Sequence, residues 1–150
     1  MNDFLGSWGG GTLAQAARRV TRSYARTFYF ASFVLPREKR EAAYVIYALC
    51  RRADNILDDG ALSTPEKLKG LDRLRQGFAK LYAGSGNLSP KEAALRDCLI
   101  RYDIPRNLFD ELLDGVAMDL TVSRYRAWSD LERYCYGVAS TVGLIMARVF

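Results

Sequence analysis

Apolar residues recur along the chain at three- and four-residue spacings with charged residues between them, and nowhere alternate singly as strands do. Ala42, Ile46, Leu49, Ala53, Ile56 and Leu57 fall on one helical face at about 100° per residue. The four prolines mark helix starts. Pro36 precedes Arg37-Glu38, Pro65 follows Thr64 as expected N-cap, Pro90 lies in a Ser89…Glu92 capping box, and Pro105 opens a further helix. Ser129…Glu132 predicts a second capping box. Short breaks at Asp58-Asp59-Gly60, Gly84-Ser85-Gly86-Asn87 and Tyr102-Asp103-Ile104 separate the periodic segments. The pattern predicts helices over 12–33, 36–58, 65–83, 90–102, 105–124 and 129–149. No hairpin signal, internal repeat or linker divides the chain, so the expectation is an all-α domain, with the glycine-bearing residues 1–11 flexible.

Composition narrows the class. With 150 residues, 49% hydrophobic and 26% charged, the chain can bury one core and is neither disordered nor a disulfide scaffold. No uncharged run exceeds the 14 residues of Tyr134 to Ala147, short of the roughly 20 that cross a bilayer. Residues 1–11 lack a basic region followed by an apolar one, so no secretory signal is expected and the expected location is cytoplasmic. There is no histidine, and Cys50, Cys98 and Cys135 lie far apart, which excludes the common zinc sites and leaves oxygen as the donor for any metal. The thiols are expected to be free. A net charge of +5 suits nucleic acid, an anionic membrane surface or a phosphate ester alike.

Candidate chemistry lies on the helix that follows Pro36. With Asp54 as origin, Tyr47 falls at about 20°, Asp58 at about 40°, Arg51 at about 60° and Tyr44 at about 80°. Two carboxylates, a guanidinium and two phenols thus share one track. Asp54 and Asp58 face each other at i and i+4, an arrangement that gains nothing unless a cation lies between them. Hard oxygen donors in that pose suit Mg²⁺ completed by substrate phosphates, and Arg51 is placed to take a phosphate oxygen. The plainer reading is an acidic helix end neutralised by Arg51 and Arg52. It leaves Asp54, Asp58 and Asp59 at a C-terminus, where the helix dipole disfavours each by about 0.3–1 kcal/mol.

Asp110 and Asp114 repeat the spacing, but Asp114 points about 135° from its helix's apolar face and is expected to be solvated. Asp119, at the border of that face, is the better candidate. The segment from Tyr134 to Met146 is apolar nearly all round, with Gly137 and Gly143 inside it. It is expected to be a central helix whose glycines admit close neighbours, the alternative being the wall of an apolar tunnel. Arg18, Arg22 and Arg26 form an i, i+4, i+8 ridge, expected to be a solvated face.

Four segments, in order, resemble the squalene and phytoene synthase family of head-to-head prenyl transferases. Thr27-Phe28-Tyr29-Phe30-Ala31-Ser32 with Leu35-Pro36 resembles its opening segment. Tyr47-Ala48-Leu49-Cys50-Arg51-Arg52-Ala53-Asp54-Asn55-Ile56-Leu57-Asp58-Asp59 resembles its first aspartate-rich motif. Gly115-Val116-Ala117-Met118-Asp119-Leu120 and Tyr134-Cys135-Tyr136-Gly137-Val138-Ala139-Ser140-Thr141-Val142-Gly143 resemble two more. Asn55, Ala25 and Ser140 depart from the usual aspartate, serine and glycine.

The resemblance implies an isoprenoid-synthase-type helical bundle and condensation of two farnesyl or geranylgeranyl diphosphates to phytoene, squalene or a related product. In it, Asp54 and Asp58 hold Mg²⁺ and Arg51 binds the diphosphate. Tyr47, Thr27 and Asp119 lie at the substrate, and Phe28, Val138 and Ala139 line the prenyl cavity. Tyr134 matches the tyrosine assigned to proton removal or cation stabilisation. NADPH is implied only for a squalene product. Prenyl diphosphates are the implied partners, with peripheral membrane contact and no nucleic acid. Family members are nearly twice as long and carry a second aspartate-rich motif on a later helix. The chain is therefore expected to be the N-terminal half of one such domain, with little turnover by itself. The alternative is a non-catalytic scaffold relative of the same fold.

Overall fold

A computed structural model describes residues 4–5, 8–84 and 86–150. In order, the elements are α1 (Leu13–Tyr24), α2 (Arg26–Ala31), a 3₁₀ turn (Ser32–Val34), α3 (Arg37–Asp58), α4 (Thr64–Ala83), α5 (Pro90–Arg101) and α6 (Arg106–Thr121), then α7 (Trp128–Cys135), a π-helical turn (Tyr136–Ser140) and α8 (Thr141–Val149). Among the described residues there is no strand, as the all-α expectation required. Among the described residues, no helix is long and apolar enough to cross a membrane.

Helix starts follow local chemistry. Thr12 and Gln15 exchange backbone and side-chain hydrogen bonds at 3.0 and 3.3 Å, capping α1, and Ser89 and Glu92 do the same for α5. For α4 the cap is Ser63 rather than Thr64: Ser63 boxes with Glu66, and Thr64 and Pro65 enter the first turn. The expected Ser129…Glu132 box does not form. There α7 starts one residue earlier, at Trp128, from an extended Ala127 with no side-chain cap.

Two expected helices are broken. The first parts at Ala25, which takes φ −135° and ψ 64°. No glycine or proline causes this. Beyond the break, α2 turns so that Tyr29 stacks on Tyr44 at 5.4 Å and Phe28 meets Tyr47 at 5.8 Å, so tertiary aromatic packing overrides local propensity. The last helix changes to a π turn where Gly137 presses against Gly115 of α6.

The core is built on α3 and α6, with α1 along α3, α4 along α6, and α8 against both. Ala42, Ile46, Leu49 and Ala53 are buried as the periodicity requires, with Ile56 and Leu57 at the margin. Tyr44, expected on the polar track, is instead buried: its hydroxyl donates to the Tyr29 carbonyl and accepts from Ser32. Phe78 stacks on Phe109 at 4.3 Å, and each such buried side chain contributes about 1.5–3 kcal/mol. The expected flexibility of 1–11 falls partly on residues 1–3 and 6–7, which lie outside the described residues. Phe4, Leu5 and Trp8 are buried in the core.

The segment expected to be central is buried along one stripe only, Gly137, Thr141, Ile145 and Val149, while Ala139, Ser140, Gly143 and Leu144 face outward. Asp110 and Asp114 are both claimed by Arg75 of α4, so the decoy spacing is an ion-pair clamp between helices. Arg18, Arg22 and Arg26 are all exposed, as the solvated-ridge expectation required, and Arg18 also donates to the Tyr29 hydroxyl at 3.0 Å.

Candidate functional site

Because α2 runs back along α3, the two helices form a ladder of matched side chains. Tyr29 faces Tyr44, Phe28 faces Tyr47, and at the next level Tyr24, the last residue of α1, lies under Arg51 with the guanidinium carbon 4.7 Å from its ring centre. Above these rungs come Asp54 and Asp58. Arg51 Nη2 lies 2.9 Å from Asp58 Oδ2 and Nη1 lies 3.7 Å from Asp54 Oδ2. Its Nε is buried and has no hydrogen-bond partner among the described residues, so the guanidinium keeps an unused donor beside the carboxylates.

Asp54 feels this crowding. Burial raises its pKa above the usual carboxylate range. Arg51 opposes that shift, while Asp58 and Asp119 reinforce it. Asp119 comes from α6, so a carboxylate of a second helix adds its charge to that of Asp58 at Asp54. Burial likewise raises the pKa of the Tyr47 phenol.

Tyr134 of α7 donates its hydroxyl to Asp119 Oδ2 at 3.0 Å. Partial burial and that hydrogen bond push its pKa up to about 12, so the phenol keeps its proton at neutral pH. Tyr125 packs on Tyr134 with ring centres 5.4 Å apart, and its own buried hydroxyl has no partner among the described residues. Neither Tyr24 nor Tyr125 was legible beforehand. Tyr24 meets Arg51 only because of the unforeseen break at Ala25, and Tyr125 sits in the irregular stretch after α6, its one signal being an aromatic in a polar run.

Of the predicted residues, Arg51, Asp54 and Asp58 come together, Asp119 acts on Asp54 from α6, Phe28 joins Tyr47, and Tyr134 joins Asp119. Thr27 is exposed one residue before Phe28. Val138 is half-buried and Ala139 exposed on the π turn, held against α6 by the Gly115–Gly137 contact. Among the described residues, no three His, Cys, Asp or Glu side chains stand close enough to enclose a metal. The donors are hard carboxylate oxygens, a set that fits Mg²⁺ bound through one or two carboxylates, with water and phosphate completing the sphere. A depression of about 1090 Å³ on a different flank of α3, lined by Arg52, Asn55, Asp59 and Arg73, shares only Tyr24 with the site residues described above.

The comparisons with known proteins agree with this architecture. Residues 21–150 match the family described as squalene/phytoene synthase. The phytoene synthase of Arthrospira platensis is 36% identical over 135 residues, which cover 90% of this chain and 43% of that protein. The 15-cis-phytoene synthase of Synechococcus elongatus is 37% identical over 135 residues, with the same coverage. A chloroplastic phytoene synthase of Zea mays is 38% identical over 130 residues, 87% of this chain and 30% of that one. Among solved structures, the squalene synthase HpnC of Alicyclobacillus acidocaldarius superposes with TM-score 0.79 at 28% identity, covering 92% of this chain and 51% of that one. A dehydrosqualene synthase gives TM-score 0.75 at 25% identity, covering 98% and 50%. The chain thus spans less than half the length of the curated relatives it matches. It belongs to the squalene/phytoene synthase family.

Proposed function

We propose that the protein condenses two prenyl diphosphates, farnesyl or geranylgeranyl, head to head to give phytoene, squalene or a related product of carotenoid or triterpenoid biosynthesis. The observation that carries this reading is Arg51 bridging Asp54 and Asp58 of α3, with Asp119 of α6 near enough to act on Asp54, beside the Phe28–Tyr47 aromatic wall.

Each residue has a task in it. Asp54 and Asp58 hold Mg²⁺, and Mg²⁺, when bound, neutralises the diphosphate so that it can leave. Arg51 binds the diphosphate with donors it now spends on the two aspartates and with its unused Nε. Tyr24 steadies the guanidinium from below. Tyr134 acts with its proton in place, fixing Asp119 and presenting its ring to the reacting centre. Phe28, Tyr47, Val138 and Ala139 supply walls that keep water from a cationic carbon, with Thr27 at the mouth. The segment described here, lacking the family's second aspartate-rich motif, is proposed to turn over little by itself. NADPH enters only where the product is squalene. We place the protein in the cytoplasm, where its three free cysteines suit a reducing milieu, in peripheral contact with a membrane.

The test is a Mg²⁺-dependent assay with labelled farnesyl and geranylgeranyl diphosphate, with and without NADPH, on this chain and on the protein its full reading frame encodes. A head-to-head product abolished by Asp54→Asn is the expected result. A folded full-length protein that neither turns over nor binds Mg²⁺ with diphosphate overturns the reading and leaves a scaffold relative.

A further inference from the structure

A second surface lies at the opposite end of α3 from Asp54 and Asp58. The turn between α2 and α3 presents Phe30, Phe33 and Val34 to solvent, at 64%, 47% and 88% of full accessibility. Single exposed apolar residues need no explanation, but three within five positions form a patch. Phe30 lies about 200° round α2 from Phe28, so it points away from the wall that Phe28 forms with Tyr47. Beside this tip, Arg18, Arg37 and Arg40 line a depression of about 490 Å³ together with Phe33. Arg40 lies over the Phe33 ring at 5.3 Å, Arg18 donates to the Tyr29 hydroxyl and Arg37 to Glu41. Each guanidinium has donors beyond these bonds, and Glu41 is the sole carboxylate among the residues lining the depression.

We infer that this tip docks the protein on an anionic lipid bilayer, with Phe30, Phe33 and Val34 entering the interface and the depression of Arg18, Arg37 and Arg40 receiving a lipid phosphate. The pairing matches the chemistry of a bilayer surface, where phosphates lie immediately outside the acyl region. A protein partner with acidic side chains would satisfy the arginines but leave the three apolar side chains without an apolar phase. The position also suits the proposed reaction, on which this step rests. A hydrocarbon anchored by its diphosphate at Asp54 and Asp58 and lying along α3 points its tail toward this end, where an apolar product needs an apolar destination.

The experiment is vesicle co-sedimentation of the protein encoded by the full reading frame, on phosphatidylcholine with and without phosphatidylglycerol. Binding is expected only with the anionic lipid, weakening as salt rises. The pairs Phe30→Ser/Val34→Ser and Arg37→Glu/Arg40→Glu should each weaken it at least about tenfold while leaving the helical circular dichroism and melting temperature in place. A polarity-sensitive dye on Val34→Cys, in a Cys135→Ser background, should emit as in water until anionic vesicles are added and then shift to the blue. Failure to bind anionic vesicles overturns the inference, as does equal binding by both variant pairs. A dye already in apolar surroundings before vesicles are added also overturns it, because another part of the protein or a second copy then covers the tip. Vesicle binding is read without turnover, so loss of the transferase reading and loss of the docking surface are separate outcomes.

Discussion

Arg51 reaches about two turns along its own helix to place Nη2 2.9 Å from Asp58 Oδ2, holding one of the two carboxylates proposed to bind Mg²⁺. The guanidinium thus neutralises the aspartates in the absence of ligand and must release them when a cation arrives, turning its donors to the diphosphate. Arg51→Ala is therefore expected to leave binding of Mg²⁺ alone as strong or stronger. Binding of pyrophosphate in the presence of Mg²⁺ should weaken about ten- to a hundredfold, the worth of a charged hydrogen bond. Isothermal titration with each probe separates the two effects. Parallel loss of both affinities would mean that Arg51 only shapes the helix end.

Asp54→Asn should trade function for stability. In the folded chain Asp54 binds its proton more tightly than in the unfolded chain, because burial, Asp58 and Asp119 outweigh Arg51. The native state therefore binds more protons than the unfolded state in the window just above the ordinary carboxylate pKa, and stability falls as pH rises through it. At neutral pH the asparagine variant is expected to be more stable, by no more than about 0.5 kcal/mol because the group is half-exposed. The gain should vanish at acid pH, where both proteins carry a neutral group. Thermal melts of the two proteins across that range check the sign, and turnover of the variant should be lost.

Much of this was legible in the sequence because helix physics is local. Proline positions and the Ser89…Glu92 box located helix starts, and the periodicity from Ala42 to Ala53 located the face of α3 that is buried. The track of Asp54, Asp58 and Arg51 followed from a helical wheel. What stayed hidden was tertiary. Tyr44 shares that wheel angle but is buried, because α2 folds back and supplies Tyr29 and Ser32 as partners. The break at Ala25 that permits this has no breaker residue, and the same break brings Tyr24 beneath Arg51.

The Tyr134 phenol gives a pH signature at the alkaline end. Its pKa stands at about 12 in the folded chain, from partial burial and the hydrogen bond to Asp119, above the ordinary value of about 10. Its contribution to stability is present below about pH 10 and is lost as pH rises toward about 12. Tyr134→Phe should flatten that part of the stability curve, as followed by circular dichroism. With the proton retained, wild-type turnover should show no limb from Tyr134 between about pH 7 and 9, and the phenylalanine variant should lose about 10²-fold in kcat through release of Asp119. A turnover limb near neutrality that disappears in Tyr134→Phe would show the phenolate to be the working form.

Gly137 and Gly143 were read from the sequence as one feature, small residues in an apolar helix, but the structure gives them different work. A Cβ at Gly137 would stand 2.8 Å from Gly115 Cα, with the Glu111 carbonyl oxygen at 3.2 Å, whereas a Cβ at Gly143 would meet nothing within 4 Å. No side chain can rotate to relieve a clash with backbone, so Gly137→Ala must move the π turn away from α6. It is expected to cost about 1–3 kcal/mol, or about 2–4 °C of melting temperature for each kcal/mol. Gly143→Ala adds a methyl to open helix surface and should stabilise by about 0.5–1 kcal/mol. Turnover then discriminates between packing and cavity. If the face carrying Ala139, Ser140 and Gly143 bounds the prenyl cavity, Gly143→Ala lowers turnover or shortens the accepted chain while raising the melting temperature. A more stable enzyme with unchanged kinetics on both farnesyl and geranylgeranyl diphosphate would place that face outside the cavity.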